Sequence, residues 1–370
     1  GGEPTSVAAK GEFMVVGVNT STDFVTTSGH VAIVNVATQS IITTIDVGGQ
    51  PDSVAVSPDG SYIAVAIENE RDEDLDDGEL PQLPAGTLVI IDSSDSTVAN
   101  WAQTANSPVD LTGIAGYGPT DPEPEYVDIN ANNVAAVSMQ ENNHMALVDL
   151  ATGSVTAHFT AGTVSLTQID TEEEDPTLIS LTSSEADIPR EPDGISWMGT
   201  DRIATADEGD LFGGSRGFTV FDASGNVTHT SASSLDHEAV RLGHYPDGRS
   251  GNKGNEPENV EFGTFGGVDY LFVASERANL VWHDEDKHQS ATLKEYPVIA
   301  DLDNDGSAEI VVASNDLGAG LKGVNVFGHA GSGWAKSGTT WGTHDFAVTN
   351  LNPDGSVPTG ELPWLTHNVF

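Results

Sequence analysis

Apolar and polar residues alternate along most of the chain in short runs, the period of half-buried β-strands. The runs return in one order: an acidic or polar residue, proline, usually a carboxylate, a short alternating strand, a turn, then a second apolar strand ending in Glu or Asn. Gln50-Pro51-Asp52-Ser53-Val54-Ala55-Val56 leads in this way to Ile63-Ala64-Val65-Ala66-Ile67-Glu68-Asn69. Glu123-Pro124-Glu125-Tyr126 leads to Val134–Asn142, Glu191-Pro192-Asp193 to Arg202–Glu208, and Glu256-Pro257-Glu258 to Leu271–Glu276. Glu3-Pro4-Thr5 opens the series before Met14–Asn19. Proline is tolerated at a strand's first residue, where the amide it lacks is not yet part of the ladder. Successive prolines at 4, 51, 124, 192 and 257 lie 47, 73, 68 and 65 residues apart. That is one four-stranded propeller blade per repeat, with the excess in loops.

Each repeat closes on a strand–turn–strand unit. His30–Val36 and Ser40–Val47 flank Ala37-Thr38-Gln39, and His144–Leu150 and Val155–Phe159 flank Thr152-Gly153. Phe218–Asp222 and Val227–Thr230 repeat the device. Residues 68–80 carry eight carboxylates and Arg71, an insertion that is either ordered by metal or a mobile acidic loop. Residues 160–190 read as a long loop, and Ser234–Leu242 as a short helix. Past residue 281 the outline is compressed: Pro297–Ala300, an acidic turn, Ile310–Asn315, then Val324–Phe327, with His344–Asn350 as the inner strand of a final unit. Exposed sheet edges invite aggregation, so a closed ring is expected. The fold class is all-β: a β-propeller of four-stranded antiparallel blades, seven or six in number, forming one domain over 1–370. Blades of one style occupy 1–281, and blades of a second style over 282–370 close the ring.

Composition narrows the function. The 370 residues hold 57 Asp and Glu against 13 Lys and Arg, a net charge of −44. Such a field repels nucleic acid and anionic membrane surfaces and attracts cations. Cysteine is absent, which excludes disulfides, thiolate nucleophiles and zinc–sulfur sites. No run of 18 apolar residues exists to span a membrane as a helix. The chain starts Gly1-Gly2, as a processed mature form or a fragment would. Ser and Asp are too abundant for a Ser-His-Asp set to stand out, so catalytic residues are unknown from the sequence.

Candidate chemistry is acidic. Asp301, Asp303, Asp305 and Glu309 place alternate carboxylates in one turn, with Gly306 folding the loop back. Hard oxygen ligands at this spacing suit Ca²⁺, although Val312 stands where an EF-hand would have Glu; the alternative is a solvated turn. Asp52, Glu68, Glu125, Glu141, Asp193, Asp207, Glu208, Glu256, Glu258 and Glu276 recur at equivalent repeat positions, as does Glu3. Inner propeller strands converge on one axis, and carboxylates brought together there cannot all stay ionised without cations. Glu68, Glu125, Asp193, Glu256 and Glu258 are therefore candidate metal ligands; the alternative is strand-capping acids that face water. Arg249 and Lys253, in Gly248–Glu258, are scarce cations beside these acids. They are candidate contacts to an anionic ligand, or else local charge pairs.

Gly49–Gly60, Gln140–Asn143, Glu191–Asp193 with Ala206–Asp210, and Asn252–Glu258 resemble the extracellular bacterial propellers grouped as choice-of-anchor and phytase-esterase-like proteins. The resemblance covers residues 1 to about 281 and implies a secreted, Ca²⁺-dependent propeller, with phosphoester hydrolysis in some relatives. Residues 296–315 resemble the FG-GAP repeats of integrin-like propellers, whose Asp-rich loop binds Ca²⁺ and matches Asp301, Asp303, Asp305 and Glu309. The expected protein is a secreted or cell-surface calcium-binding propeller that serves as a surface binding or structural module. Its expected partners are calcium ions and a surface polymer, a protein or further copies of itself, with no nucleic acid. The alternative is a calcium-dependent phosphoester hydrolase.

Overall fold

A computed structural model describes residues 2–175, 178–265, 267–276, 298–300, 309–314 and 323–327. The chain divides into two compact units, Gly1–Leu280 and Val281–Phe370. The first unit is a succession of antiparallel meanders. Strands β1 (Glu3–Lys10), β2 (Phe13–Asn19), β3 (Gly29–Asn35) and β4 (Ser40–Asp46) form one four-stranded sheet in chain order. The next holds β5 (Pro51–Val56), β6 (Tyr62–Ile67), β7 (Thr87–Asp92) and β8 (Ala102–Gln103), with β9 (Val109–Asp110) also paired to β7. The third is β10 (Pro124–Ile129), β11 (Val134–Met139), β12 (His144–Asp149) and β13 (Ser154–Thr160).

A hairpin of β14 (Thr163–Ile169) and β15 (Ser183–Pro189) follows. It replaces the loop expected over 160–190. β15 is mostly polar and lacks the apolar alternation that marks a core strand; on β14, Val164, Leu166 and Ile169 bury one small face. The fourth sheet is β16 (Ile195–Met198), β17 (Arg202–Asp207), β18 (Gly217–Asp222) and β19 (Val227–Thr230). Helix α1 spans Ser234–Leu242, as expected, and ends on Gly243 in the left-handed conformation (φ 76°). Strands β20 (Pro257–Phe265) and β21 (Val268–Ser275) complete the described part of this unit. In the second unit β22 (Val298–Ala300), β23 (Glu309–Ser314) and β24 (Gly323–Phe327) form a three-stranded antiparallel sheet. These match the strands expected there; the turn carrying Asp301, Asp303 and Asp305, and the strand expected at His344–Asn350, lie outside the described residues. Among the described residues no helix is long and apolar enough to cross a membrane.

The core lies between sheets. Along β7, Leu88 and Ile90 pack with Val137, Ala146 and Val148 of the third sheet, while Val89 and Ile91 pack with Val15, Val31 and Ile33 of the first. Along β12, Ala146 and Val148 face the second sheet, and Met145 and Leu147 join Trp197 and Phe221 of the fourth. The middle sheets are thus buried on both faces, which is why their strands read as nearly unbroken apolar runs.

The first strands adjoin in succession, β1 to β5 to β10 to β16 to β20. From β5 onward each turns free amides toward the preceding first strand, whose side chains accept from them. Val54 N–H donates to Ser6 Oγ (3.1 Å), Val127 N–H to Ser53 Oγ (3.3 Å), Trp197 N–H to Asp128 Oδ2 (2.7 Å) and Phe262 N–H to Ser196 Oγ (3.1 Å). The repeat prolines seat against glycines of the preceding sheet. A Cβ on Gly29 would lie 2.3 Å from Pro51 Cδ, and one on Gly86 would lie 2.4 Å from both Pro124 Cδ and Ile67 O. Gly86→Ala therefore forces these sheets apart. We expect a loss of about 1–3 kcal/mol, as for overpacked cores, read as a lower urea midpoint at unchanged m-value.

Candidate metal centre

The proline that opens each first strand is followed by a break in register. The ladder shifts between Pro4 and Ser6, Pro51 and Val54, Pro124 and Val127, and Pro257 and Asn259. Such bulges re-aim the residues within them: Thr5 in the first, Asp52 with Ser53, Glu125 with Tyr126, and Glu258. Asp193 holds the same place ahead of β16, its N–H donating to Ala206 O (3.0 Å). Thr5, Asp52, Glu125, Asp193 and Glu258 all line one cavity of about 520 Å³, with Tyr126 and Asn259. A second set of acids follows the second strands: Glu68 after β6, Glu141 after β11, Glu208 after β17 and Glu276 after β21. The asparagines beside Glu68 and Glu141 fasten the corner ahead of each proline. Gln50 N–H donates to Asn69 Oδ1 and Glu123 N–H to Asn142 Oδ1, both at 2.9 Å.

Convergence makes Asp52, Glu68, Glu125 and Asp193 reluctant to ionise. Burial, then Glu70, Glu141 and Glu258, push Asp52 up to about 7. Burial and Asp52, Glu141, Glu123 and Glu70 raise Glu68 well above the carboxylate range. Glu125 is raised by burial and by Glu68, Glu141, Asp52 and Asp193; Asp193 is raised by burial and by Glu208, Asp52, Glu258 and Glu141. Within this group, buried Glu123 Oε1, Glu125 Oε2, Glu141 Oε2 and Glu191 Oε1 accept no hydrogen bond.

Sequence reasoning passed over the counter-charge. Arg71 is buried and donates through Nη1 to Glu141 Oε1 (2.6 Å) and Glu123 Oε2 (3.3 Å), through Nη2 to Asp210 Oδ2, and through Nε to Gly78 O (2.9 Å). The acidic insertion is thereby drawn inward by its one cation. The available signal was a scarce Arg inside a run of acids. Burial would lower the guanidinium's pKa, but Glu141, Asp210 and Glu123 outweigh it. Even so, burial and Glu141 push Glu123 up to about 9. Glu191 accepts the N–H groups of Asp210 (2.8 Å) and Phe212 (3.1 Å), and burial takes it up to about 7.

The remaining expected residues sit at the flank. Lys253 Nζ reaches Glu208 Oε1 (3.1 Å) and Asp210 Oδ1 (3.2 Å), and Arg249 Nε pairs with buried Glu256. One oxygen from each of Glu208, Glu256 and Glu276 lies within 4.8 Å of the others, so Glu256 belongs to this trio. Asp207 departs from the recurring pattern: it accepts from Thr205 Oγ1 (2.6 Å) and Thr219 Oγ1 (2.5 Å) and stands 3.8 Å from Arg190 Nε, inside the fourth sheet. Glu3 is exposed at the start of β1. Glu309 opens β23, in the unit described separately.

Two outcomes follow from the charge balance. The folded cluster holds protons to higher pH than the unfolded chain does, and stability falls with pH wherever the folded state binds more protons. In chelator, the melting temperature should fall from about pH 4, where unfolded carboxylates ionise, up to about 9, the value reached by Glu123. Melting curves across that range test this; a rising trend would refute it. Arg71→Ala leaves buried acids uncompensated and should cost about 3–5 kcal/mol in chemical denaturation. Arg71→Lys should restore little, since one ammonium lacks the guanidinium's fork of donors.

Solved structures give distant likenesses. Kuenenia stuttgartiensis hydrazine synthase is 12% identical with a TM-score of 0.43, covering 87% of this chain and 65% of its own. The complex of KlAtg21 with the coiled-coil of AgAtg16 is 11% identical with a TM-score of 0.33, covering 60% and 52%. The chain thus spans less than two thirds of either. No curated protein matches it. The sequence profile of the choice-of-anchor I domain matches residues 1–213 and 211–283. With most of its length matched, the chain belongs to the choice-of-anchor I domain family.

Proposed function

We propose that this protein is a calcium-binding β-propeller that acts as a surface binding or structural module. The choice-of-anchor domain suggests a surface-associated extracellular module. Four-stranded meanders whose first strands adjoin in sequence are what propeller blades would supply. The observation that carries the calcium reading is one cavity lined by Asp52, Glu125, Asp193 and Glu258 from successive sheets, with buried carboxylate oxygens behind it that accept nothing. Oxygen-only donors without cysteine suit a hard cation. The fit extends to Glu68 and Glu141 within the cluster and to the trio of Glu208, Glu256 and Glu276 at its flank. Among the described residues only two acidic trios bring oxygens within 4.8 Å, and neither is the cavity ring. Calcium at the cavity would keep several of its own waters. The Asp301–Glu309 turn is proposed as a further calcium loop on its spacing alone.

Bound calcium would offset part of the ring's charge and offer its open coordination positions to an anionic group of a surface polymer, a protein or a second copy. Arg249 and Lys253, held at the flank by Glu256, Glu208 and Asp210, would contribute to the same anion contact. A second reading, calcium-dependent phosphoester hydrolysis, draws on exposed Glu258 and Val7, through which the cavity meets solvent. A bound metal would supply Lewis acidity and activated water, and in this reading Arg249 and Lys253 would clamp the oxyanion from the flank.

Calorimetric titration and thermal melts in calcium test the proposal. Calcium at 100 times its dissociation constant should stabilise the fold by about 2.7 kcal/mol. Glu125→Gln and Glu141→Gln should each weaken binding at least tenfold while preserving the circular dichroism spectrum. Absence of calcium binding at millimolar concentration would overturn it. Phosphoester turnover abolished by chelator would select the hydrolase; calcium binding without turnover would select the module.

A further inference from the structure

A second group of acids lies outside the central cluster. Asp170 follows β14, Glu174 lies four residues on, and Asp247 starts a short turn after α1. One oxygen from each lies within 4.8 Å of the other two. Asp247 is 6% exposed, and its Oδ1 has no hydrogen-bond partner. Glu174 Oε2 is likewise buried and unpartnered. Asp170 is buried, and its carboxylate accepts only from the N–H groups of Glu172 (3.2 Å) and Ser180 (2.6 Å). Among the described residues none of the three forms an ion pair with Lys or Arg.

The nearest buried cation is committed elsewhere. Arg216, fully buried, donates to the carbonyls of Asp170 (2.8 Å), Ser250 (2.7 Å) and Asn252 (3.2 Å), to Tyr245 Oη (3.1 Å) and to Asp236 Oδ2 (3.3 Å). It draws the backbone of Asp170 and the segment from Tyr245 to Asn252 together while leaving the three carboxylates unbalanced. The two segments abut: a Cβ on Gly248 would lie 3.5 Å from Glu173 Oε1, and one on Gly251 would lie 3.7 Å from Thr171 O. Like charges gathered this closely at a buried contact need a counter-ion. Three carboxylates, with water completing the shell, are a calcium donor set.

We propose that Asp170, Glu174 and Asp247 form a calcium site, independent of the central cavity, that ties the end of β14 to the turn after α1. The ion supplies the positive charge that Arg216 does not. It sets the position of the segment running to Asn255 and Glu256, which delivers Arg249 and Lys253 to the flank of the central cluster.

The test uses the full chain and calcium chloride. Equilibrium dialysis counts bound calcium, and an endoproteinase specific for glutamate probes Glu172 and Glu173. Wild-type protein should be cut at least tenfold more slowly in calcium than in chelator. Asp247→Asn should lose one bound ion and the protection. Glu174→Gln, altered at a half-buried loop position, should do the same with an unchanged circular dichroism spectrum. Glu125→Gln, changed only in the central cluster, should keep the protection. Cleavage indifferent to calcium in the wild type, or protection retained by Glu174→Gln, would overturn the site. So would protection lost in Glu125→Gln alone, which would assign the effect to the central cavity.

Discussion

The structure depends on satisfying one free edge per sheet. The first strand of each meander is paired on one side only, and from β5 onward amides of its other edge turn toward the preceding first strand. Unpaired amides there would carry the cost of any buried polar group left without a partner. The chain places Ser6, Ser53, Asp128 and Ser196 to accept from Val54, Val127, Trp197 and Phe262. This constraint selects small polar residues in otherwise apolar strands. It also brings the first strands close enough that whatever their bulges point at must be shared.

What the bulges point at is negative charge. Asp52, Glu125, Asp193 and Glu258 reach one cavity, and Glu68 and Glu141 stand behind them. Left alone, such a group stays folded only by holding protons. Arg71 relieves part of the repulsion by joining Glu123, Glu141 and Asp210, but it also adds acids to the neighbourhood. A buried ion pair seldom adds net stability over an apolar replacement. Removing only its cation is far worse, because the desolvated acids remain. The centre is thus built so that positive charge, whether guanidinium, proton or metal, decides how firmly it closes.

Much of the fold was legible because it repeats. Proline followed by an acid marked the first strands, and alternation marked the meanders around Thr152-Gly153 and Gly225. The short helix expected at Ser234–Leu242 is present over those residues. The hairpin of β14 and β15 was not legible, since Ser183–Pro189 is mostly polar and buries little. At the site, equal placement of Asp52, Glu125 and Asp193 within the repeats was enough to foresee that they meet. The same logic misplaced Asp207, because Thr205, Thr219 and Arg190 hold it within its own sheet. Arg71 was hidden by its setting: a cation amid eight acids reads as surface charge, and only the fold shows it turned inward. Pairings such as Arg71 with Asp210 span 139 residues, and no local pattern encodes them.

The use of the cations has a consequence at the surface. The chain has only 13 Lys and Arg, and Arg71, Arg190 and Arg216 are buried. Each serves several acceptors: Arg71 three carboxylates, Arg190 a carbonyl, a hydroxyl and Asp207, Arg216 three carbonyls with Tyr245 and Asp236. Buried acids outnumber these three cations among the described residues, Glu68, Glu123, Glu141, Asp170, Asp207 and Asp236 among them, so the excess negative charge is shared between interior and surface. Repulsion among exposed acids fades over a Debye length, about 10 Å at 0.1 M salt and less in stronger brine. Buried acids are screened far less and need a specific partner. Dissolved salt therefore acts on the exposed acids, while the buried acids respond to a specific counter-charge such as Arg71 or a proton.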